Sequence, residues 1–226
     1  MPDMSKAPYI TEVVEVDRGT LQALTPEDGW NSLAGVEVLE MGLSWDKSTG
    51  GHGGLLGWAS RKVGSDLDGV AVLYTRAKPV KYLGWDELDC FANEAAAGSA
   101  THTGDNQTGE GAGDDETIRL QLGRLPERII CIVLTAAAFK RGSDMRRAKN
   151  ILVTLYDSSG GNKTPVAMIE PSLLNPKNTI GVAVVRRKPG NETEWELMVI
   201  DSSVDVKQGD RDDFLVKSMN LVTSAR

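Results

Sequence analysis

The chain of 226 residues is poor in the features that mark secreted, zinc-binding and membrane-spanning proteins. Its two cysteines, Cys90 and Cys131, cannot build a disulfide framework or a paired-cysteine zinc site. Its longest apolar run, residues 129–139, contains Thr135 and is about half as long as a membrane-spanning helix. The first residues include no apolar segment typical of a secretory signal. We therefore expect a cytoplasmic protein with no transmembrane segment.

Positive charge is scarce as well. There are 25 lysine and arginine residues against 32 aspartate and glutamate residues, for a formal net charge of −7. Since binding to nucleic acid requires a basic surface, we expect no direct contact with nucleic acid. Hydrophobic residues make up 40% of the chain, enough for a folded core. The composition predicts a globular protein of one large domain or two small ones.

Apolar residues follow β-strand periods through most of the chain. In residues 117–122, Ile118, Leu120 and Leu122 alternate with polar residues, which predicts a half-buried strand. The next apolar run predicts a strand over 129–138 that is buried on both faces. Together with turn-forming residues between segments, the pattern predicts an all-β fold, an antiparallel β-sandwich with few short helices. The other predicted strands are 36–43, 67–75, 150–156, 166–169, 180–187 and 195–200.

The chain divides into an arm, a sandwich and a tail. We expect a partly ordered N-terminal arm over residues 1–30, a β-sandwich domain over 31–205, and a tail over 206–226 that ends in a short amphipathic helix. The glycine-rich residues 47–65 are typical of a surface loop. Residues 85–97 fit either a short helix or a loop, because alanine and glutamate favour a helix but no firm cap is present.

One acidic stretch carries the chemistry of the chain. Between Asp105 and Glu116 there are five carboxylates, interspersed with glycines that let the backbone curl tightly. Ca²⁺ takes six to eight oxygen ligands from carboxylates, amides, carbonyls and water, so the stretch suits calcium. It is not an EF-hand, because Gln107 and Gly109 stand where that loop needs acidic ligands. The alternative is a charged hairpin neutralised by solvent alone.

A second acidic pair, Asp66 and Asp68, opens a predicted strand. Residues two apart in a strand share a face, so both carboxylates point to one place at the end of the sheet. With the acidic stretch they provide oxygen ligands for two adjacent calcium ions. The side chains concerned are Asp66, Asp68, Asp105, Asn106, Glu110, Asp114, Asp115 and Glu116.

These residues bear a family resemblance. The stretch 102–116, His-Thr-Gly-Asp-Asn-Gln-Thr-Gly-Glu-Gly-Ala-Gly-Asp-Asp-Glu, resembles the signature of the TerD family of tellurium-resistance and stress proteins. Leu43-Ser-Trp45-Asp46 and Asp66-Leu-Asp68 resemble the two upstream motifs of that family, in the same order. The resemblance covers residues 36–200. The insertion 47–65 and the segment 85–100 depart from the family pattern.

The resemblance implies a calcium-binding sandwich without an agreed enzymatic reaction. It implies two Ca²⁺ ions in the end loops, with Thr108 and Gly111 as carbonyl donors beside the eight side chains named above. It also implies a role in tellurite resistance, stress or phage defence. Protein partners in a membrane-associated complex would then place the protein at the inner face of the membrane.

Two other functions remain open from the residues. In a metal-dependent phosphate-ester hydrolase, Asp114, Asp115 and Glu116 would hold divalent ions and His102 would act as the base. In a structural, oligomerising component, calcium would serve only to hold the loops together.

Overall fold

A computed structural model of the chain describes residues 13–15, 29–47, 66–106, 113–170 and 177–224. These residues form two sheets packed face to face, and a helix, α1 (Arg211–Ser224), covers the other side of the larger sheet. The predicted antiparallel β-sandwich is confirmed. In the described ranges, no helix combines the length and apolar character that crossing a bilayer requires.

The larger sheet has seven strands, which pair antiparallel except for the parallel first pair. In spatial order they are β1 (Val13–Glu15), β2 (Trp30–Ser32), β12 (Asn191–Val204), β11 (Thr179–Lys188), β8 (Cys131–Ala137), β4 (Asp68–Tyr74) and β5 (Pro79–Leu83).

The smaller sheet has five antiparallel strands. In spatial order they are β10 (Thr164–Ile169), β9 (Ala148–Asp157), β3 (Val38–Lys47), β7 (Glu116–Gln121) and β6 (Ala100–His102). Short 3-10 helices at Leu122–Arg124 and Met145–Arg147 lead out of β7 and into β9.

Burial along the strands follows the sequence pattern. In β7, Ile118 and Leu120 are buried between the sheets, while the alternate residues are partly exposed, as predicted. In β8 every residue is buried, because Leu134 faces the smaller sheet and Val133 faces α1, where Phe214 packs in the same apolar cluster. Both predictions about these strands are confirmed.

The segment 85–97 is a loop of successive turns rather than a helix. The carboxylate of Asp89 accepts hydrogen bonds from the amides of Phe91 at 3.0 Å and Gly98 at 2.8 Å. Such side-chain bonds to the backbone favour turns over a helix, which decides between the two alternatives. The predicted surface loop 47–65 lies outside the described residues apart from Lys47, where β3 ends.

Candidate metal centre

One end of the sandwich brings chain segments from both sheets together. β4 of the larger sheet begins at Asp68, and β7 of the smaller sheet begins at Glu116. The Glu116 side chain crosses between the sheets, and its Oε2 accepts a hydrogen bond from the amide of Gly69 at 2.8 Å. The acidic loop joins β6 to β7, and the structure describes its two ends, residues 103–106 and 113–115.

Asp68 is the most deeply buried carboxylate at this end. Its exposed fraction is 0%, and neither of its oxygens has a hydrogen-bond partner among the described residues. Ligand oxygens of Asp68, Asp105 and Glu116 lie within 4.8 Å of one another. Burial, reinforced by the charges of Glu116 and Asp66, raises the pKa of Asp68 to about 8. Such a carboxylate is costly to ionise unless a cation neutralises it.

Glu116 is aimed at the same place by backbone donors. Its Oε2 accepts from Gly69, and its Oε1 accepts from the amide of Asn106 at 3.2 Å. Its side chain is only 1% exposed. Since each carboxylate oxygen has a second lone pair, these bonds orient Glu116 and still leave it able to bind a metal ion.

His102, at the end of β6, is buried with both ring nitrogens engaged. Its Nδ1 accepts a hydrogen bond from the amide of Gly104 at 2.9 Å, which assigns the proton of the neutral ring to Nε2. That nitrogen lies 3.1 Å from the carbonyl oxygen of Gly69 and 3.3 Å from Glu116 Oε2. Gly104 has φ of 101°, a left-handed conformation that favours glycine and turns its amide back toward the ring. His102 therefore positions Glu116.

Lys140 lies between two of the predicted ligands. Its Nζ is 3.1 Å from Asp66 Oδ2, forms a second ion pair with Asp105 Oδ2, and sits 4.8 Å from the centre of the Trp85 ring. Burial alone would lower the pKa of Lys140, but hydrogen bonds with the two carboxylates raise it above its ordinary value. Burial raises the pKa of Asp66, and Lys140 opposes that rise. The other oxygen of Asp66, Oδ1, is buried without a partner in the described part of the chain.

Asp115 and Asn106 tie the two ends of the acidic loop to β3. Asp115 Oδ2 accepts from the amide of Trp45 at 3.1 Å, and the Asp115 amide donates to the carbonyl of Leu43 at 2.8 Å. Asn106 Nδ2 donates to Asp115 Oδ1 at 3.0 Å. Burial raises the pKa of Asp115, as does the charge of neighbouring Asp114, although the Trp45 hydrogen bond counteracts them.

Asp114 points to the outer face of the smaller sheet. Its carboxylate accepts from Tyr156 Oη at 3.1 Å and from Lys163 Nζ at 3.0 Å. It lies over Gly42, where an added Cβ would be 2.2 Å from the Asp114 carboxylate carbon. Since Met41 and Leu43 face the core, Gly42 between them faces outward.

The predicted ligands therefore separate into groups. The structure brings Asp66, Asp68, Asp105 and Glu116 together, places Asp115 and Asn106 at the root of the loop, and turns Asp114 outward. Thr108, Glu110 and Gly111 lie outside the described residues. For all ten predicted residues, described or not, the assignment as a metal ligand stays a prediction.

The sequence reasoning missed Lys140 and Trp85. β8 pairs antiparallel with β4 so that Ala137 is opposite Asp68, and Lys140 follows three residues later. This register brings Lys140 beside Asp66. A single lysine after an apolar strand gives no local signal of such a contact, because strand register depends on long-range packing.

Comparisons with known proteins agree with the family resemblance of the acidic stretch 102–116. A family model described as the TerD domain matches residues 24–207. The tellurium resistance protein TerZ of Serratia marcescens is 31% identical over 165 residues, which cover 72% of this chain and 78% of that protein. The tellurium resistance protein TerD of Alcaligenes is 35% identical over 117 residues, or 50% of this chain and 60% of that protein. The stress response protein SCP2 of Bacillus subtilis is 31% identical, with 56% and 64% covered.

Solved structures share the fold. The crystal structure of a homologue of telluride resistance protein (TerD) from Streptomyces coelicolor superimposes with a TM-score of 0.58 and 17% identity, covering 76% of this chain and 93% of that one. A crystal structure of a protein of unknown function gives a TM-score of 0.55 at 20% identity, with 75% and 93% covered. At these identities the likeness concerns the fold alone.

Proposed function

Because the chain belongs to the TerD domain family, we propose that it is a calcium-binding, non-enzymatic module of a stress-response system. Proteins similar to it are named for tellurium resistance and for stress response. The observation that carries the calcium part is the buried carboxylate of Asp68, which lacks a hydrogen-bond partner in the described ranges and lies beside Asp105 and Glu116.

The donor atoms at this place suit calcium. They are carboxylate oxygens, which hard cations prefer. Asp68, Asp105 and Glu116 would hold the ion, and Asp66 lies next to them. Zinc is a poor fit, because both nitrogens of His102 are engaged and both cysteines, Cys90 and Cys131, are buried in apolar clusters.

Bound calcium would act as a switchable link between the two sheets. It would neutralise the repulsion among carboxylates that come from β4, β7 and the acidic loop, and so hold these segments together. Each ion adds two positive charges, so the two ions that we expect would change the formal net charge from −7 to −3. We propose that a protein partner in the cytoplasm, in a complex at the inner face of the membrane, recognises this ordered and less acidic end.

The described residues offer no support for a metal-dependent hydrolase. A base needs a nitrogen or oxygen that can exchange a proton with the substrate. His102, the candidate base, is 6% exposed, accepts from Gly104 and faces Gly69 and Glu116 with its other nitrogen. A second function is therefore not proposed.

Calorimetric titration of chelator-treated protein with CaCl₂ tests the proposal. We expect saturable binding at micromolar affinity or better in the parent, which is typical of sensor sites. Asp68→Asn keeps the shape of the side chain but removes its charge, so it should weaken binding by about a hundredfold or more. The same substitution should raise the melting temperature of the calcium-free protein, because asparagine has no carboxyl group that must take up a proton or stay charged when it is buried.

Glu194→Gln is the matched control, since it removes one negative charge far from this end, in β12. It should leave calcium affinity unchanged. If the parent gives no heat and no calcium-dependent shift in melting temperature, the calcium-binding proposal is wrong. Equal affinity in the parent and in Asp68→Asn would remove Asp68 from the site.

A further inference from the structure

Lys140 holds its ammonium group among the carboxylates at the end of the sandwich, beside the buried Asp68. The group lies between the carboxylates of Asp66 and Asp105 and above the face of Trp85, with a side chain only 21% exposed. It thus has the partners that a small cation takes in a protein: two carboxylates and an aromatic face. One of those carboxylates, Asp105, also has an oxygen within 4.8 Å of carboxylate oxygens of Asp68 and Glu116.

The shared carboxylate makes the two cation positions compete. A calcium ion among Asp68, Asp105 and Glu116 would lie next to the ammonium group of Lys140, because both would bind the same carboxylate. Two cations this close repel each other, and the repulsion is strongest on the side of the buried carboxylates of Asp68 and Glu116. An ion binding further toward Asp66 would share that carboxylate with Lys140 as well, through the oxygen Oδ1 that Lys140 does not contact.

We propose that Lys140 is a tethered cation that competes with calcium: its ammonium group pairs with Asp66 and Asp105 in the calcium-free protein, and a calcium ion must displace it. The inference rests on the proposed calcium-binding function. Lys140 then sets the affinity of the site, and calcium binding frees its ammonium group and uncovers the face of Trp85. The acidic cluster is protected from its own repulsion when calcium is scarce.

Lys140→Met tests this role because methionine keeps much of the apolar stem and removes the charge. By calorimetry we expect calcium affinity to rise by about tenfold or more, or a second calcium ion to bind, because the competitor is gone. Lys188→Met is the control, since Lys188 pairs with Glu194 at 3.2 Å far from the site. It should titrate as the parent does.

Thermal unfolding separates competition from an ordinary structural role. Without calcium, Lys140→Met should melt several degrees below the parent, because the carboxylates lose their counter-ion. With saturating calcium it should melt at or above the parent. A lysine that merely stabilised the fold would lower the melting temperature equally in both conditions, and that result would overturn the inference.

The outcomes distinguish this inference from the proposed function. If the parent binds calcium and Lys140→Met binds it with the same affinity and stoichiometry, the competition is refuted and the proposed function stands. If calcium binds only after the substitution, Lys140 blocks the site and calcium does not displace it, so the proposed function of the unmutated chain and the displacement are both wrong. If neither protein binds calcium, both proposals fall.

Amine labelling of the unmutated chain gives a second readout. An acylating reagent followed by mass spectrometry should modify Lys140 several times faster with calcium than without it, as the ammonium group leaves its carboxylates. Lys188 serves as the internal reference. An unchanged ratio of the two labelling rates in calcium-saturated protein would contradict displacement.

Discussion

Two clusters in which a lysine bridges two carboxylates can be compared: an inner one at the end of the sandwich where the two sheets meet, and an outer one on the outer face of the smaller sheet. The inner cluster consists of Asp66, Asp68, Asp105, Glu116 and Lys140. The outer cluster consists of Glu40, Asp114, Arg119, Tyr156 and Lys163. In both, an ammonium group bridges two carboxylates and lies over an aromatic ring.

The two clusters differ in their charge balance. Among the described residues, the outer cluster sets two carboxylates against Arg119 and Lys163, so it is balanced. The inner cluster sets four carboxylates against Lys140 alone, and the buried Asp68 has no hydrogen-bond partner in that part of the chain. A high density of acidic residues therefore does not by itself define a cation site. We expect an excess of carboxylates around a buried one to define it instead.

The largest expected effect is a pH dependence confined to the inner cluster. The pKa of Asp68, raised to about 8 chiefly by burial, means that the folded protein holds a proton that the unfolded chain releases near pH 4. The bound proton contributes its full stabilisation of the folded state below about pH 4, and this contribution is lost as the pH rises toward 8. Melting temperatures of chelator-treated protein should fall over this range.

Asp68→Asn should flatten that fall, whereas Asp114→Asn in the outer cluster should not. Parallel curves for the parent and Asp68→Asn between pH 4 and pH 8 would contradict the assignment. Saturating calcium should also flatten the fall in the parent, because the bound ion favours the ionised carboxylate.

The second prediction concerns a substitution that disrupts the contacts of the outer cluster. Gly42→Ala places a methyl group 2.2 Å from the carboxylate carbon of Asp114, so the carboxylate must leave Lys163 and Tyr156. We expect a loss of about 1.5 kcal/mol in the free energy of unfolding, measured by urea denaturation. Gly123→Ala, where nothing lies within 4 Å of the added methyl group, should have little effect. Equal losses in both variants would show that the close approach at Gly42 is not the cause.

Lys163→Met should have a smaller effect than Lys140→Met. The Lys163 side chain is 42% exposed, so water already screens its ion pairs with Asp114 and Glu40. We expect a loss of about 0.5 kcal/mol, the same with and without calcium. A loss that disappears on adding calcium would show that Lys163 shares the competing role assigned to Lys140.

The smallest expected effect is that of Asp114→Asn on calcium binding. The structure commits this carboxylate to Lys163 and Tyr156, although the sequence predicts it as a ligand. We expect calorimetric affinity within about threefold of the parent, since an ion held by Asp68 would be separate from the outer face. A loss as large as that of Asp68→Asn would show that calcium pulls Asp114 inward.

Strand prediction succeeded where the local pattern was strong. The alternation around Ile118 and Leu120 and the apolar run of β8 both predict the observed burial. Four strands were missed: β1, β2 and β6 have three residues each, too few for a period, and β5 is a partly exposed edge strand that begins at Pro79. The segment 85–97 was ambiguous because the turns at Asp89 outweigh the helix preference of alanine.

Local patterns predict some parts of the candidate site and not others. The acidic loop and the pair Asp66 and Asp68 stand out by residue type and spacing, and the structure brings members of both together. The separation of Asp114 from Asp68 depends on a hollow at Gly42 and on Lys163, which lie far from the loop in the chain. No pattern within the acidic loop indicates that Asp114 is separated from Asp68.

The sequence by itself therefore determined an all-β sandwich and the oxygen-rich chemistry of one end, because strand period and residue type are local properties. Only the tertiary structure decided which carboxylates are buried and which cation meets them. The register of β8 against β4 brings Lys140 to Asp66, and the packing of the two sheets removes Asp68 from water. Desolvation and charge balance depend on contacts between distant segments, so they emerge only when the chain is folded.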